Sequence, residues 1–381
     1  MTRSLIIVQP YVPSYRVPFF EALRADLERH QIVCTVTTGD ISNGTAARGD
    51  GTSECWMTPV PTKSLKIAGR ALELGGTMPA WRHADGVILG SQGSSLDVYR
   101  ALWWGHTSSS APKVGLWGHI RDYVNEANPL DRALEKWQLR RADHVFAYTA
   151  SGGEYARSVG VASGRVTTVM NSVDTSDLEN AVAQTSETER LAFADRMNIV
   201  DGRALSYIGG LDGSKRIDFL SAALEHLWAL APDVKILIAG RGEHEHLLDA
   251  ASARGQAIKL GYADAKTKAL MAGTSAAMLM PGRIGLVAVD SMVLGLPVLT
   301  TPYPFHAPEA EYLTEGVNMI TTIDDPMKYA EAMRRIADSS PKFAIAHNSP
   351  IPTLSNMVGN YSRGVLTMMN SSRRWPSRAH S

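Results

Sequence analysis

The sequence holds little cysteine: of 381 residues only Cys34 and Cys55 are thiols. That excludes a disulfide framework and a cysteine-built zinc cluster. Long apolar runs are missing as well. No stretch approaches the ~18 consecutive apolar residues of a membrane-spanning helix. The opening MTRSLIIVQPYVP does not read as a signal peptide, because its apolar run from Leu5 to Val8 stops at Pro10. Excess charge of either sign is absent. Lys plus Arg and Asp plus Glu are 38 each, which argues against a broad nucleic-acid footprint. No G-x-G-x-x-G follows a strand pattern, so a dinucleotide cofactor is disfavoured. There is no Asp-x-Asp, no His-Glu-x-x-His and no nucleophile elbow. The expectation is a cytoplasmic protein that binds no nucleic acid and holds no metal or resident cofactor. The sequon-like Asn43-Gly44-Thr45 then reads as a chance match.

What is present is an ordinary globular balance, 44% hydrophobic and 20% charged. One core rarely grows past about 250–300 residues, so the length favours two domains. Short apolar runs alternate with amphipathic stretches. Strands are expected at 5–8, 32–37, 86–89, 113–116 and 144–148, with helices at 16–29, 96–104 and 129–141. A second series follows, with strands at 204–208, 234–239, 257–260, 276–280 and 297–300. Its helices are expected at 216–229, 243–253, 265–271 and 286–294. This alternation predicts an α/β protein with parallel sheets. The expected order is a Rossmann-like domain over 1–177, a polar helix or linker over 178–199 and a second Rossmann-like domain over 200–345. A helix crossing back over 346–370 and a disordered tail over 371–381 complete it. Ligands of such sheets sit at the carboxyl ends of the strands, so two facing domains would enclose a cleft.

Two stretches of the second series carry chemistry. In MPGRIGLVAVDSMVLGLPVLT (280–300), a buried strand ends at Pro281-Gly282 and Gly285 opens a helix. Gly295 stands where a C-terminal cap belongs. Free N–H groups at Gly285, Leu286 and Val287 suit a phosphate oxyanion. Asp290, placed on the second turn, suits sugar hydroxyls, or is simply a solvated or capping residue. In SYIGGLDGSKRIDF (206–219), Gly209, Gly210 and Gly213 let backbone approach a ligand, and Lys215 stands at a helix start. The stretch is a near miss to a P-loop, with Ser214 for the second glycine and Arg216 for Ser/Thr.

Together these segments resemble the family 4 glycosyltransferases of the GT-B fold, two Rossmann-like domains facing across a cleft. The family pattern E-G-F-G-L, three residues, Glu-Ala and a later Gly-x-Pro-Val is met in register by GRIGL, VAV, Asp-Ser and Gly-Leu-Pro-Val. Val169-Met170-Asn171-Ser172-Val173-Asp174, Ala239-Gly240-Arg241-Gly242, Gly261-Tyr262 and Glu315-Gly316-Val317-Asn318 resemble further landmarks in the same order. The resemblance implies a metal-independent, retaining transfer from a nucleoside-diphosphate sugar to a hydroxyl acceptor. It implies that Asp290 holds the ribose, that Lys215 neutralises the diphosphate, and that the backbone at Tyr262 reads the base edge. Several positions depart from the pattern, Arg283 among them in place of the usual glycine, and two losses stand out. Gly282 replaces the first acidic residue, which contacts the donor sugar, and Gly210 replaces the diphosphate arginine. Arg283 or Arg241 would then supply the missing charge. These departures keep two alternatives open: a non-catalytic nucleotide-sugar-binding pseudo-enzyme, or a GT-B-type epimerase or phosphorylase.

In the first series, Arg16 follows the first strand and is a candidate for a phosphate or an acidic acceptor. Phe19 and Phe20 beside it read as core. His119, in Leu116-Trp117-Gly118-His119, ends another strand and resembles the family's W-G-H segment, which makes it a candidate donor or acceptor contact. Arg121, Asp122, Ser91 and Gln92 are secondary candidates. Arg132, Lys136 and Arg140 form an i, i+4, i+8 stripe. Such a stripe is usually a solvated face, and with Trp103-Trp104 it would also suit peripheral contact with the inner face of a membrane.

Overall fold

The computed structural model describes residues 2–39, 51–67, 70–91, 93–121, 129–200, 203–339 and 351–372. Gln92, Asp122, residues 43–45, the tail from 373 and the expected boundary at 345 lie outside the described residues. The chain forms two units, Met1–Asp174 with Thr353–Ser381, and Thr175–Pro352.

The first unit contains β1 (Arg3–Gln9), β2 (Ile32–Thr38), β3 (Met57–Pro59), β4 (Thr62–Ile67), β5 (Arg70–Gly75), β6 (Gly86–Gly90), β7 (Lys113–Gly118), β8 (His144–Ala147) and β9 (Val166–Thr168). Seven of these make a parallel sheet in the order β3-β2-β1-β6-β7-β8-β9, while β4 and β5 pair as a separate antiparallel hairpin. Side chains alternate across the sheet. On one face Leu5, Ile7, Cys34, Val36, Trp117 and Phe146 pack under the helices Val17–Arg29 and Leu354–Asn370. On the other, Val87, Leu89, Val114, Leu116 and Val145 meet Val98, Leu102, Leu139 and Ala156 from the helices Leu96–Thr107, Pro129–Arg141 and Ala150–Ser158. Burial on both faces explains the unbroken apolar runs of the central strands. Phe19 and Phe20 are core residues, each 1% exposed.

The second unit contains β10 (Ala204–Ile208), β11 (Lys235–Ala239), β12 (Ala257–Gly261), β13 (Met278–Met280), β14 (Val298–Thr300) and β15 (Met319–Thr321). They form a six-stranded sheet in the order β12-β11-β10-β13-β14-β15, every pair parallel. This is the 3-2-1-4-5-6 order of a doubly wound sheet. The segment read as a helix or linker is two helices, Ser176–Gln184 and Glu187–Arg196. A capping box between Ser186 and Glu189 starts the second of them. Leu178 and Phe193 bury these helices in the core of the second unit.

His144 carries a consequence for stability. It is 2% exposed in β8, and its Nε2 shares a hydrogen bond with Thr167 Oγ1 at 2.8 Å. Burial, aided by the Arg165 guanidinium, pushes its pKa from 6.5 down to about 4. The folded state therefore keeps the ring neutral while the unfolded chain protonates first. Stability present above pH 6.5 is lost as pH falls toward 4, by about 3 kcal/mol when complete. Urea midpoints of the wild type are expected to fall more steeply over this window than those of His144→Gln. Equal slopes would assign the acid sensitivity to other groups.

Candidate active site

The second sheet reverses its strand order at β10 and β13. There the carboxyl ends of adjacent strands open a crevice for ligands. The turns leaving β10 and β11 are tied to each other and to the end of β12 by backbone hydrogen bonds. Gly209 N–H donates to Ala239 O, Leu211 N–H to Arg241 O and Gly240 N–H to Gly261 O, at 2.9, 2.9 and 2.7 Å. The approach is close enough that a Cβ on Gly240 would lie 1.8 Å from Gly209 O. Only glycine fits there.

The same crowding accounts for the first departure from the family pattern. A Cβ on Gly282 would lie 2.5 Å from both Ser214 O and Lys215 C, and 2.7 Å from Lys215 O. Arg283 N–H donates to Ser214 O at 2.9 Å, which locks the two turns face to face. The space that an acidic side chain would need at position 282 is filled by the Ser214-Lys215 backbone.

Cations gather on this pair of turns. Lys215 Nζ donates to Arg283 O, and Arg283 Nη1 donates to Phe305 O at 3.1 Å. Burial pushes the Lys215 ammonium down to about 8; the Arg283 guanidinium works in the same direction and the Asp212 carboxylate against both. His306 completes the group. Its Nδ1 accepts Ile284 N–H at 3.1 Å, and its Nε2 lies 3.3 Å from Thr301 O. An accepting Nδ1 requires the neutral ring. Burial holds the His306 pKa below its ordinary value; the Thr301 carbonyl opposes this, and the positive charges of Lys215 and Arg283 add to it.

The helix after β13 spans Val287–Leu294 and ends on Gly295 in the left-handed conformation, φ 70°, as its sequence suggested. Gly285, Leu286 and Val287 present backbone N–H groups that meet no protein acceptor among the described residues. Asp290 lies on the first turn rather than the second, because the helix starts later than expected. Its Oδ2 accepts from Lys268 Nζ at 2.8 Å. Tyr262 is 88% exposed beyond β12. Arg241 is exposed and its guanidinium turns toward Gly261. Of the two arginines weighed for the missing diphosphate charge, Arg283 is therefore the one beside Lys215. Gly210 packs near Asp212, and its carbonyl accepts Tyr207 Oη–H at 2.6 Å.

Arg216 adopts the left-handed region at φ 56° and ψ 51°. Such a conformation costs about 1–2 kcal/mol for a residue with a Cβ. A hydrogen-bonded ion pair to Asp324 at 2.6 Å and stacking over Phe219 at 4.3 Å hold it.

In the first unit, Arg16 is 6% exposed. Its Nη2 donates to Asn171 Oδ1 at 2.6 Å and its Nη1 to Ser172 O at 3.1 Å, with Met357 Sδ at 3.6 Å. Its guanidinium is thus engaged in holding the returning chain, which differs from the expected phosphate or acceptor contact. His119 follows β7 and meets the Tyr148 ring edge-on at 5.0 Å, and Arg16 lies 5.9 Å from the same ring. Ser91 N–H donates to Trp117 O at the end of β6. Arg121 is exposed, as are Arg132, Lys136 and Arg140.

His306 was missed by reading the sequence. Its signal was its place in the turn TPYPFHAP, directly after a buried strand.

Residues 202–339 match the family described as "Glycosyl transferases group 1". A search of curated protein sequences returns no significant match. Among solved structures the chain is similar to Alr3699/HepE of Anabaena in complex with UDP, at TM-score 0.65 and 13% identity, covering 96% of this chain and 100% of that one. The lipopolysaccharide outer core galactosyltransferase WaaB aligns at TM-score 0.61 and 14% identity, over 96% and 99%. A putative UDP-N-acetylglucosamine 2-epimerase from Listeria monocytogenes aligns at 0.61 and 12%, over 98% and 99%. The fold is GT-B, with its parallel α/β sheets.

The crowding at position 282 has a direct test. Gly282→Ala is expected to destabilise the chain by about 2–4 kcal/mol in urea unfolding, because backbone rather than a flexible side chain must move. A loss below about 0.5 kcal/mol would show that the two turns yield easily.

Proposed function

We propose a donor and a chemistry for this glycosyltransferase, whose group 1 domain spans residues 202–339. It moves a sugar from a nucleoside-diphosphate sugar to a hydroxyl acceptor, with retention and without a metal ion. The observation that carries this reading is the convergence of Lys215, Arg283 and the N–H groups of Gly285, Leu286 and Val287 at one switch point. Two cations and a helix N-terminus suit a diphosphate dianion. As the glycosidic C–O bond breaks, negative charge grows on the leaving oxygen, and fixed positive groups stabilise it there. Protein cations take the part that a divalent ion would otherwise play. Asp290, oriented by Lys268, accepts from the ribose hydroxyls. Tyr262 and the turn at Gly240 and Arg241 border the base. Neutral His306 braces Ile284 and keeps the Gly285 turn in place. In the first unit, His119 is the proposed sugar or acceptor contact, and Arg16 enters only as a positioning residue.

The Lys215 ammonium titrates near pH 8 in the empty site. A bound diphosphate favours its protonated form, so binding above pH 8 takes up a proton. The dissociation constant for UDP, GDP, ADP or dTDP, whichever binds, is expected to be flat from pH 7 to 8 and to weaken beyond, by up to about tenfold per pH unit. Lys215→Met should bind more weakly and lose this dependence, and EDTA should change neither protein. Titration calorimetry in two buffers reads both the affinity and the proton. Binding that is lost with EDTA, or pH dependence that survives in Lys215→Met, would sink the assignment.

A surface of the first unit supports a peripheral membrane partner. Trp103 and Leu130 are 64% and 61% exposed on neighbouring helices, beside exposed Arg132, Lys136 and Arg140. Apolar side chains within a basic field suit an anionic bilayer. Sedimentation with vesicles containing phosphatidylglycerol should carry the protein down, and Trp103→Ser with Lys136→Glu should leave it in solution. Equal sedimentation of both proteins would remove this partner.

A further inference from the structure

Arg216 stands between the turn that carries Lys215 and the helix Ile217–Leu230. Its left-handed backbone is what separates them. A right-handed residue at 216 would run the helix back through Lys215. The carbonyls of Ser214 and Lys215 would then lie along the helix axis and accept from Asp218 and Phe219. In the structure they face the neighbouring turn instead. Ser214 O accepts Arg283 N–H at 2.9 Å, and Lys215 O lies against Gly282. The contact that brings Lys215 Nζ onto Arg283 O therefore depends on the sign of one φ angle, 56° at Arg216.

The side chain of Arg216 supplies what holds that angle. Its Nη1 donates to Asp324 Oδ1 at 2.6 Å, in the turn after β15, and to Thr301 Oγ1 at 3.2 Å, in the turn after β14. Thr301 is fully buried, and its hydroxyl donates in turn to Pro281 O at 2.8 Å, just past β13. The guanidinium packs over the Phe219 ring at 4.3 Å, with the Tyr303 ring at 5.8 Å. One arginine thus ties the start of a helix to the exits of three strands. Asp324 balances its charge, so what it gives the site is geometry.

We infer that Arg216 is a positioning residue for Lys215: anchored on Asp324, Thr301 and Phe219, it holds position 216 left-handed and so fixes the turn from which Lys215 meets the diphosphate. The inference rests on the donor site proposed for this unit, since it needs a bound diphosphate. Two consequences separate it from a plain contribution to stability. Glycine, which is free in the left-handed region, can replace the arginine, while alanine cannot. Asp324 matters to the site only while residue 216 has a side chain to hold.

The test is titration calorimetry of the full chain with UDP, GDP, ADP and dTDP, beside urea unfolding. Arg216→Ala is expected to weaken binding of the nucleotide that the wild type takes by about five- to thirtyfold, the equilibrium equivalent of the left-handed cost. Arg216→Gly should regain most of that affinity. Asp324→Asn should weaken binding about threefold in the wild type and have no effect in the Arg216→Gly chain. This exposed substitution keeps the test decisive if Arg216→Ala does not fold. The alkaline loss of affinity is set by Lys215, which Asp212, Arg283 and His306 face. It should begin at higher pH in Arg216→Ala, because a slackened turn returns the ammonium to water, and at the wild-type pH in Arg216→Gly. Arg216→Gly binding as weakly as Arg216→Ala would overturn the proposal. So would an Arg216→Ala chain that loses stability but keeps the wild-type affinity and pH profile, or an equal effect of Asp324→Asn with and without the arginine. Wild-type affinity that Lys215→Met removes, with no difference among the Arg216 variants, rejects the positioning role alone. No nucleotide affinity in the wild type rejects the donor site and this role with it.

Discussion

The site of the second unit depends on two backbone turns pressed together, with Arg283 N–H bonded to Ser214 O and Gly282 against the carbonyl of Lys215. A side chain on residue 282 would force these turns apart. Their contact also brings Lys215 onto the Arg283 carbonyl and the Arg283 guanidinium into its field. Like charges held this close raise the free energy of the empty site. The diphosphate of the proposed donor would screen them and lower it again. The acid of the family pattern has no space at 282, where a Cβ would already meet the Ser214-Lys215 backbone.

Much of this was legible in the sequence because it is local. The run from Met280 to Thr300 contains a strand, a turn, a helix and a glycine cap within one continuous stretch, and each element is where its residue types require. Gly295 takes the left-handed conformation that a cap demands. What stayed hidden is non-local. Arg16 sits after a strand, as a ligand-binding residue would, yet its partners Asn171 and Met357 are 155 and 341 positions away. No short-range pattern announces them. The charged stretch before the second sheet left helix and linker open because polar residues dominate it, and its docking rests on scattered apolar residues, Leu178, Phe193 and Ile199 with Ala194 and Met197 against them. The three-residue strands β3, β9 and β15 are too short for a period to show. His306 lies in an irregular turn where periodicity carries no information, and its role rests on two backbone partners.

The two units treat buried polar groups differently. In the second unit, cations are left close together with Asp212 as the opposing charge on Lys215. In the first, Asp97 and Arg16 are buried and their hydrogen bonds stay mostly inside the protein. A chain with equal numbers of acidic and basic residues thus separates its signs locally. Net charge reports solubility and long-range steering, and only the local distribution reports chemistry.

The helix Leu354–Asn370 belongs to the first unit although it follows the whole of the second. Met357, Tyr361, Val365 and Met368 form one wall of the core that Phe19, Trp117 and Phe146 begin. During synthesis, therefore, the first unit emerges with that face uncovered and remains so until Leu354–Asn370 has followed the whole second unit. The second unit, continuous from Thr175 to Pro352, has all its strands before the first has its last wall. Loss of turns from Leu354–Asn370 would therefore be felt at Phe19, Trp117 and Phe146, far earlier in the sequence.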